Sequence, residues 1–452
     1  MAKLFGTDGI RGKANVWPMS TEVVMQVGRA LAYVIKKHSH RHKVIIGKDT
    51  RLSGYMIETA LSAGICSMGV DVFLIGPLPT PGIAFLTTNM RADAGVVISA
   101  SHNPYDDNGI KFFARNGFKL PDEMEIEIEK LVLAKNNYID TIRPTATEIG
   151  KAFRIEDAIG RYIVFLKNTL PKGMLFDGLK MVLDCAHGAG YKVAPMVFSE
   201  LGAKLTLMGV APDGTNINKE CGALYPEGVA KKVKETGADL GLALDGDGDR
   251  VILVDEKGNI VDGDKILAIC GNYLKKQGKL KHDTIVGTVM SNFGLELFLK
   301  QHGIRLIRTP VGDRYVTEAL CASGSTIGGE PSGHVIFLHH HTTGDGILTA
   351  LQVIAIMLME DKPLSQLCSI MKPLPQKMIN IKVKEKHPFE KNPAITEAVN
   401  KAQKTLAEQG RIVLRYSGTE PVARVMVEGK NGHLVEKLAN HLAEVIQKYM
   451  GV

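Results

Sequence analysis

Short apolar runs recur along the first three quarters of the chain in a fixed order, with helix-like stretches between them. Lys43 to Gly47 (KVIIG) leads into a loop, a stretch of helical character from Tyr55 to Met68, and a second apolar run from Gly69 to Gly76 (GVDVFLIG). The order returns with Lys180 to Asp184 (KMVLD), a Gly-rich turn, a helical stretch and Gly202 to Gly209 (GAKLTLMG). It returns again with Thr284 to Gly287 (TIVG), Gly294 to Gln301 and Gly303 to Pro310 (GIRLIRTP). Runs this short, bounded by turn formers, read as strands, and their near-continuous apolarity implies burial on both faces, as in parallel pairing with helices on each side. The repeat predicts three similar α/β domains with mixed, mainly parallel sheets.

Each unit continues into one more apolar strand that ends in a polar, Gly-containing loop: Ala94 to Pro104 (AGVVISASHNP), Ala238 to Arg250 (ADLGLALDGDGDR) and Thr326 to His334 (TIGGEPSGH). Ligands in open α/β sheets gather at the carboxyl ends of strands, so these loops are expected to face a central cleft. The tail differs. Lys377 to Lys384, Arg411 to Arg415 and Val422 to Glu428 read as strands and His433 to Tyr449 as an amphipathic helix, which makes a smaller C-terminal α+β domain. The expected domains are residues 1–153, 154–254, 255–369 and 370–452.

At 452 residues the chain exceeds what one core serves, in keeping with several domains. Its six cysteines are scattered with no CxxC pair and no signal peptide precedes Lys3, which fits a reducing cytoplasm. Ile347 to Met359 is too short to span a bilayer and reads as a buried helix, so no membrane association is expected. The net charge of +7 favours anionic ligands, but the basic residues are dispersed and rarely interleaved with aromatics. That pattern fits a small phosphorylated substrate and speaks against nucleic acid.

Asp245-Gly-Asp-Gly-Asp249 sets carboxylates at alternate positions, with glycines that let the backbone aim three hard oxygens at one point. Three such charges repel unless a hard cation such as Mg²⁺ joins them. An EF-hand would need flanking helices, whereas here an apolar strand precedes the loop and the twelfth position, Glu256, lies in a turn. Ser101 sits just past a strand end, where a hydroxyl can serve as a nucleophile, and Ser99 competes with it. Lys111 and Arg11 are candidate charges near that serine, and His102 follows it directly. Arg415, Ser417, Gly418 and Thr419, with Arg424 beyond, have the makings of a phosphate cradle. Glu330, Ser332 and His334 are candidates for sugar hydroxyls. His339, His340 and His341 are consecutive, converge poorly on one ion, and read as an exposed loop.

Taken together, Gly6 to Gly12 (GTDGIRG), Ser99 to Pro104, Asp245 to Arg250, Gly329 to His334 and Arg415 to Pro421 resemble the α-D-phosphohexomutase superfamily in order and spacing along the whole chain. Asp184 to Tyr191, Gly214 to Asn218, Gly237 to Asp245 and Val311 to Val316 resemble most the branch that interconverts glucosamine 6-phosphate and glucosamine 1-phosphate for cell-wall precursors. Pro331, where Gln or Met is familiar, and Tyr416, where Pro is common, depart from the pattern in loops that hold substrate. The resemblance implies four domains around a cleft, activating phosphorylation of Ser101, and one Mg²⁺ held by the phosphoserine, Asp245, Asp247 and Asp249. It implies that Arg250, Glu330, Ser332 and His334 bind the sugar, that Arg415, Ser417, Gly418, Thr419 and Arg424 bind the distal phosphate, and that Lys111 or His102, with Arg11 nearby, handles the proton. It also suggests a homodimer, with the Ile347 to Met359 helix a candidate contact. A glucose or mannose phosphate mutase, a metal-dependent phosphatase and a non-enzymatic calcium- or sugar-binding protein are the rival readings.

Overall fold

The computed structural model describes residues 3–6, 8–36, 40–134, 138–417 and 421–452. Gly418 and Thr419, two of the expected phosphate ligands, lie outside the described residues. The first sheet contains β1 (Ile10–Lys13), β2 (Lys43–Lys48), β3 (Asp71–Pro77), β4 (Ala94–Ile98), β5 (Asp107–Ala114) and β6 (Ala152–Arg154), in the order β1-β5-β4-β2-β3-β6. β2 and β4 are apolar and buried almost throughout, because helices cover both faces of the parallel centre. On one face the helices Thr21–Ile35 and Gly54–Ser67 touch backbone to backbone. A Cβ on Gly28 would lie 2.6 Å from the Leu61 carbonyl oxygen and one on Gly64 2.2 Å from that of Met25, so any larger residue would force the helices apart.

The second sheet holds β7 (Lys180–Asp184), β8 (Lys204–Met208), β9 (Leu240–Leu244), β10 (Val251–Asp255) and β11 (Ile260–Val261), ordered β11-β10-β9-β7-β8. The third holds β12 (Thr284–Thr288), β13 (Arg305–Thr309), β14 (Ile327–Gly329) and β15 (Val335–Phe337), ordered β13-β12-β14-β15. In each of the three sheets the parallel trio is followed by a strand that returns antiparallel: β4 to β5, β9 to β10 and β14 to β15. The connection is too short for a crossover, so it must reverse direction. It is this reversing loop that carries Ser101, the three aspartates and Glu330. The second sheet runs on to Val261, past the boundary expected at residue 254, because the β10–β11 pair closes as a hairpin.

β16 (Gln376–Lys382), β17 (Gly410–Tyr416) and β18 (Val422–Gly429) form an antiparallel sheet in the order β16-β18-β17. The helices Pro393–Leu406 and Gly432–Met450 pack on it around a core of its own that includes Ile395, Val425 and Leu442. The first three units, by contrast, share one continuous apolar cluster. The C-terminal unit meets the third through polar contacts: Arg411 donates to the carbonyls of Val289 (2.9 Å) and Ser291 (2.7 Å), and Phe293 N–H to Glu428 (3.0 Å).

One expectation is borne out and another is corrected. The apolar helix, Gly346–Glu360, is consumed by the shared core, and only its last residues, including Leu358 and Met359, are exposed. It is the buried helix that its apolar run predicts. His341 is buried rather than exposed, with its Nε2 2.9 Å from the Pro81 carbonyl and its ring edge-on to Phe165. No helix among the described residues is long and apolar enough to cross a membrane.

Candidate active site

Ser101 has φ +52°, the left-handed region that side chains other than glycine rarely adopt. The conformation persists because its surroundings over-determine it. Its N–H donates to Ser99 Oγ (2.9 Å), and that hydroxyl donates to Asp49 (2.6 Å). Ser99 is thus tied into the scaffold, while Ser101 Oγ points away and donates to Asp245 at 2.7 Å. Arg51, wholly buried, is the larger anchor. Its Nε pairs with Asp49 (2.8 Å), and its other nitrogens donate to the carbonyls of Ser101 (3.0 Å), Asn103 (2.8 Å), Asp107 (3.1 Å) and Pro104. Asn218 Nδ2 donates to the Ser101 and Asn103 carbonyls as well, at 2.9 and 3.2 Å.

The second loop comes up against this one because Gly246 has no side chain: a Cβ there would lie 2.6 Å from the Ser101 carbonyl oxygen. Asp245, Asp247 and Asp249 are all buried, and each offers an oxygen within 4.8 Å of those of the other two. Thr80, at the start of the helix Thr80–Asn89, holds Asp247 twice, by Oγ1 to the carboxylate (2.7 Å) and by N–H to the carbonyl (2.8 Å). Lys111 Nζ lies 2.9 Å from Asp247, 3.3 Å from Asp8 and 3.6 Å from Asp249. Burial, followed by the charges of Asp249 and Asp247, pushes the Asp245 carboxyl well above its ordinary range. Burial also works to raise Asp249, but Lys111 and His334 outweigh it and hold that carboxyl low. Asp247 Oδ1 and Asp249 Oδ1 are buried without a hydrogen-bond partner among the described residues. Oxygens left this way beside a third carboxylate fit a metal site.

A cavity of about 490 Å³ opens beside these loops and is lined by Arg11, Ser101, Lys111, Asp249, Arg250, Glu330 and His334. His102 Nδ1 is 3.3 Å from Ser101 Oγ and 3.1 Å from Arg250. Burial and the charges of Arg250 and Arg11 push its pKa down to about 4, so the imidazole is neutral near pH 7. Burial also opposes the Lys111 charge, yet Asp247, Asp8 and Asp249 keep its pKa above the ordinary lysine value. Arg11 pairs with Asp8 (2.5 Å), which Lys119 links to Asp313 (2.6 Å) across to the third unit. Glu330 accepts from Gly312 N–H (2.9 Å). His334 lies 3.6 Å from Asp249 through Nδ1, and its Nε2 accepts from Gly344 N–H (3.3 Å), so its ring is held against the aspartate loop on the cavity wall.

Ser332, Arg415, Ser417 and Arg424 do not line this cavity. Arg415 and Arg424 face each other across β17 and β18, and the Nε atoms of both are buried without a partner among the described residues. Two like charges placed opposite each other call for an anion between them. Asp8, Arg51, Thr80 and Asn218 went unassigned in the sequence. Arg51 had a findable signal, since Lys48 to Gly54 (KDTRLSG) is another polar loop at the carboxyl end of a parallel strand.

Four models of phosphoglucomutase/phosphomannomutase domains match the chain in order: α/β/α domain I at residues 2–139, domain II at 161–258, domain III at 262–374 and the C-terminal domain at 378–445. The chain belongs to the phosphoglucomutase/phosphomannomutase family. Within the family it is 58% identical over 451 residues to a phosphoglucosamine mutase of Geobacter sp. (strain M21), covering 100% of this chain and 99% of that one. It is 57% identical over 450 residues to that of Myxococcus xanthus, covering 100% and 98%. Its fold is shared with a phosphoglucomutase/phosphomannomutase family protein from Burkholderia thailandensis, at TM-score 0.81, 22% identity and 99% coverage of each chain. It is also shared with the N-acetylphosphoglucosamine mutase of Aspergillus fumigatus in complex with GlcNAc-6P and magnesium, at TM-score 0.69, 17% identity and coverage of 99% and 96%.

Proposed function

We propose that this chain is a phosphoglucosamine mutase, which interconverts glucosamine 6-phosphate and glucosamine 1-phosphate through a 1,6-bisphosphate. The full-length likeness to phosphoglucosamine mutases at 57–59% identity supports the substrate. The observation that carries the chemistry is Ser101 Oγ, 2.7 Å from Asp245 at the edge of a three-carboxylate cluster that opens on a cavity. On this reading Ser101 is active as phosphoserine, and its phosphoryl group passes to O1 of the sugar 6-phosphate. The bisphosphate then turns over in the cleft and returns its 6-phosphate to Ser101.

Asp245, Asp247 and Asp249, with a phosphoryl oxygen on Ser101, would hold one Mg²⁺, which when bound supplies neutralisation of the phosphoryl charge. His102, neutral and next to Ser101, can accept a proton. Lys111 is kept protonated in part by Asp247 and Asp249, the proposed metal ligands, so it releases its proton more readily when they are engaged. Both therefore serve as candidates for the acid–base step. Arg250 and Glu330 grip the sugar hydroxyls from the cavity wall, joined by Ser332. Arg415, Ser417 and Arg424 take whichever phosphate is distal, and this requires the C-terminal unit to approach the cavity. The protein works in the cytoplasm, on a small phosphosugar and without nucleic acid, as a homodimer.

The test is Ser101→Ala measured alongside mass spectra of the purified wild type. The wild type is expected to carry one phosphoryl group on the peptide holding Ser101. The variant is expected to lose mutase turnover by about 10⁴-fold or more, the scale of removing a nucleophile, while melting as the wild type does. Turnover within tenfold of wild type in a folded variant would overturn the assignment.

A further inference from the structure

At the amino ends of β2 and β4, on the edge of the first sheet opposite Ser101, two imidazoles and a carboxylate converge. His40 and His42 lie on the segment entering β2, and Asp93 immediately precedes β4. Residues two apart on an extended segment share a face, so the rings of His40 and His42 lie side by side, with centroids 4.2 Å apart. Arg41 between them turns the other way and pairs with Asp71 at 2.7 and 3.0 Å, which offsets the nearest positive charge. Asp93 offers one oxygen to each imidazole: Oδ1 lies 3.0 Å from His40 Nε2 and Oδ2 lies 3.3 Å from His42 Nδ1. The sheet itself places this carboxylate, because Lys43 N–H donates to Oδ2 (3.0 Å) and Asp93 N–H donates to the Lys43 carbonyl (2.9 Å).

The three residues present ligand atoms that all lie within 4.8 Å of one another. Bonds of about 2.0–2.1 Å in a tetrahedron put ligand atoms roughly 3.3 Å apart, close to the two contacts already present. The His42 and Asp93 side chains are 3% and 9% exposed and form a floor, while that of His40 is 45% exposed and forms a rim open to water. Two nitrogens and one carboxylate suit zinc-type ions, and are unlike the all-oxygen cluster of Asp245, Asp247 and Asp249.

We propose that His40, His42 and Asp93 form a second metal site that takes a divalent first-row transition ion such as Zn²⁺, with water completing its shell. Its place at the far edge of the sheet gives it no reach to Ser101. It clamps the entry to β2 against the turn before β4, so it acts on stability and leaves turnover alone.

Full-length protein stripped of metal is dialysed against Zn²⁺ with Mg²⁺ in excess, alongside His40→Ala and Asp93→Asn. Wild type is expected to retain one more equivalent of Zn²⁺ than either variant, each variant binding about tenfold more weakly or worse. Co²⁺ in place of Zn²⁺ should give visible d–d absorption in the wild type that both variants lose, with mutase activity in Mg²⁺ the same in all three. Equal Zn²⁺ retention by wild type and His40→Ala overturns the proposal. So does loss in His40→Ala with full retention by Asp93→Asn, which would mean a loose histidine tract without the built carboxylate. His40 is exposed enough that its alanine variant keeps the fold, so the comparison holds even where Asp93→Asn does not fold.

Discussion

Ser99 and Ser101 are two residues apart in one short loop, and nothing in their local sequence ranks one above the other. Their environments separate them: Ser99 spends its hydroxyl on Asp49, whereas Ser101, turned by a positive φ, presents its hydroxyl to Asp245. Arg51 sustains that difference by holding the loop through its carbonyls. An alanine at 51 would leave Asp49 as an uncompensated buried charge and cost stability of about 3–5 kcal/mol. Arg51→Lys is the sharper test, since it keeps the charge but loses the planar fork that spans the carbonyls. It is expected to lower kcat by about a hundredfold through a displaced Ser101, with KM little changed; steady-state kinetics on folded protein would check this. His334, which by type suits a sugar hydroxyl, is placed by the fold on the cavity wall beside Asp249.

The unit of construction among the elements is the reversing loop after the third parallel strand, used three times. Its position was legible in the apolar repeat, because a strand buried on both faces has a distinct composition. Not every consequence of packing was legible, as the buried His341 shows, although the helix Gly346–Glu360 was readable as internal from its apolar run. Asp264, in the first turn of the helix Gly263–Lys276, belongs to this scale. It accepts from Asn292 N–H (2.6 Å), and burial together with the charge of Asp262 pushes its pKa up to about 7. A carboxyl whose folded pKa is raised contributes stability that is full below its unfolded pKa and lost as pH rises through the folded value. Asp264 should therefore cost stability progressively between about pH 4 and 7. Asp264→Asn keeps an acceptor for Asn292 and removes the charge. Thermal unfolding should show it a few degrees more stable than wild type at about pH 8 and equal to it at about pH 4.

Across the whole molecule, three units share a core while the fourth has its own and meets the third through hydrogen bonds. Interfaces of that polar kind are the ones across which domains shift. This explains how Arg415 and Arg424, away from the cavity wall in this structure, can be part of the proposed site. Arg415→Ala is expected to raise KM for the sugar phosphate by about tenfold or more, the worth of a lost charge-assisted contact, and to change kcat less. An unchanged KM would mean that the C-terminal unit binds no phosphate.

The chain's pattern of apolar runs was enough for the three α/β units and the separate tail, because burial on two faces or one leaves its mark on composition. The motif spacings were enough for the family, because Gly and Asp at alternate positions serve few purposes other than a tight loop of carboxylates. Which serine faces the aspartates, what Arg51 holds and where His334 points were decided only in three dimensions. Each depends on contacts between residues distant in sequence, such as Arg51 with Ser101 or His334 with Asp249. No local pattern encodes such a contact, because it exists only once the sheets have brought their strand ends together.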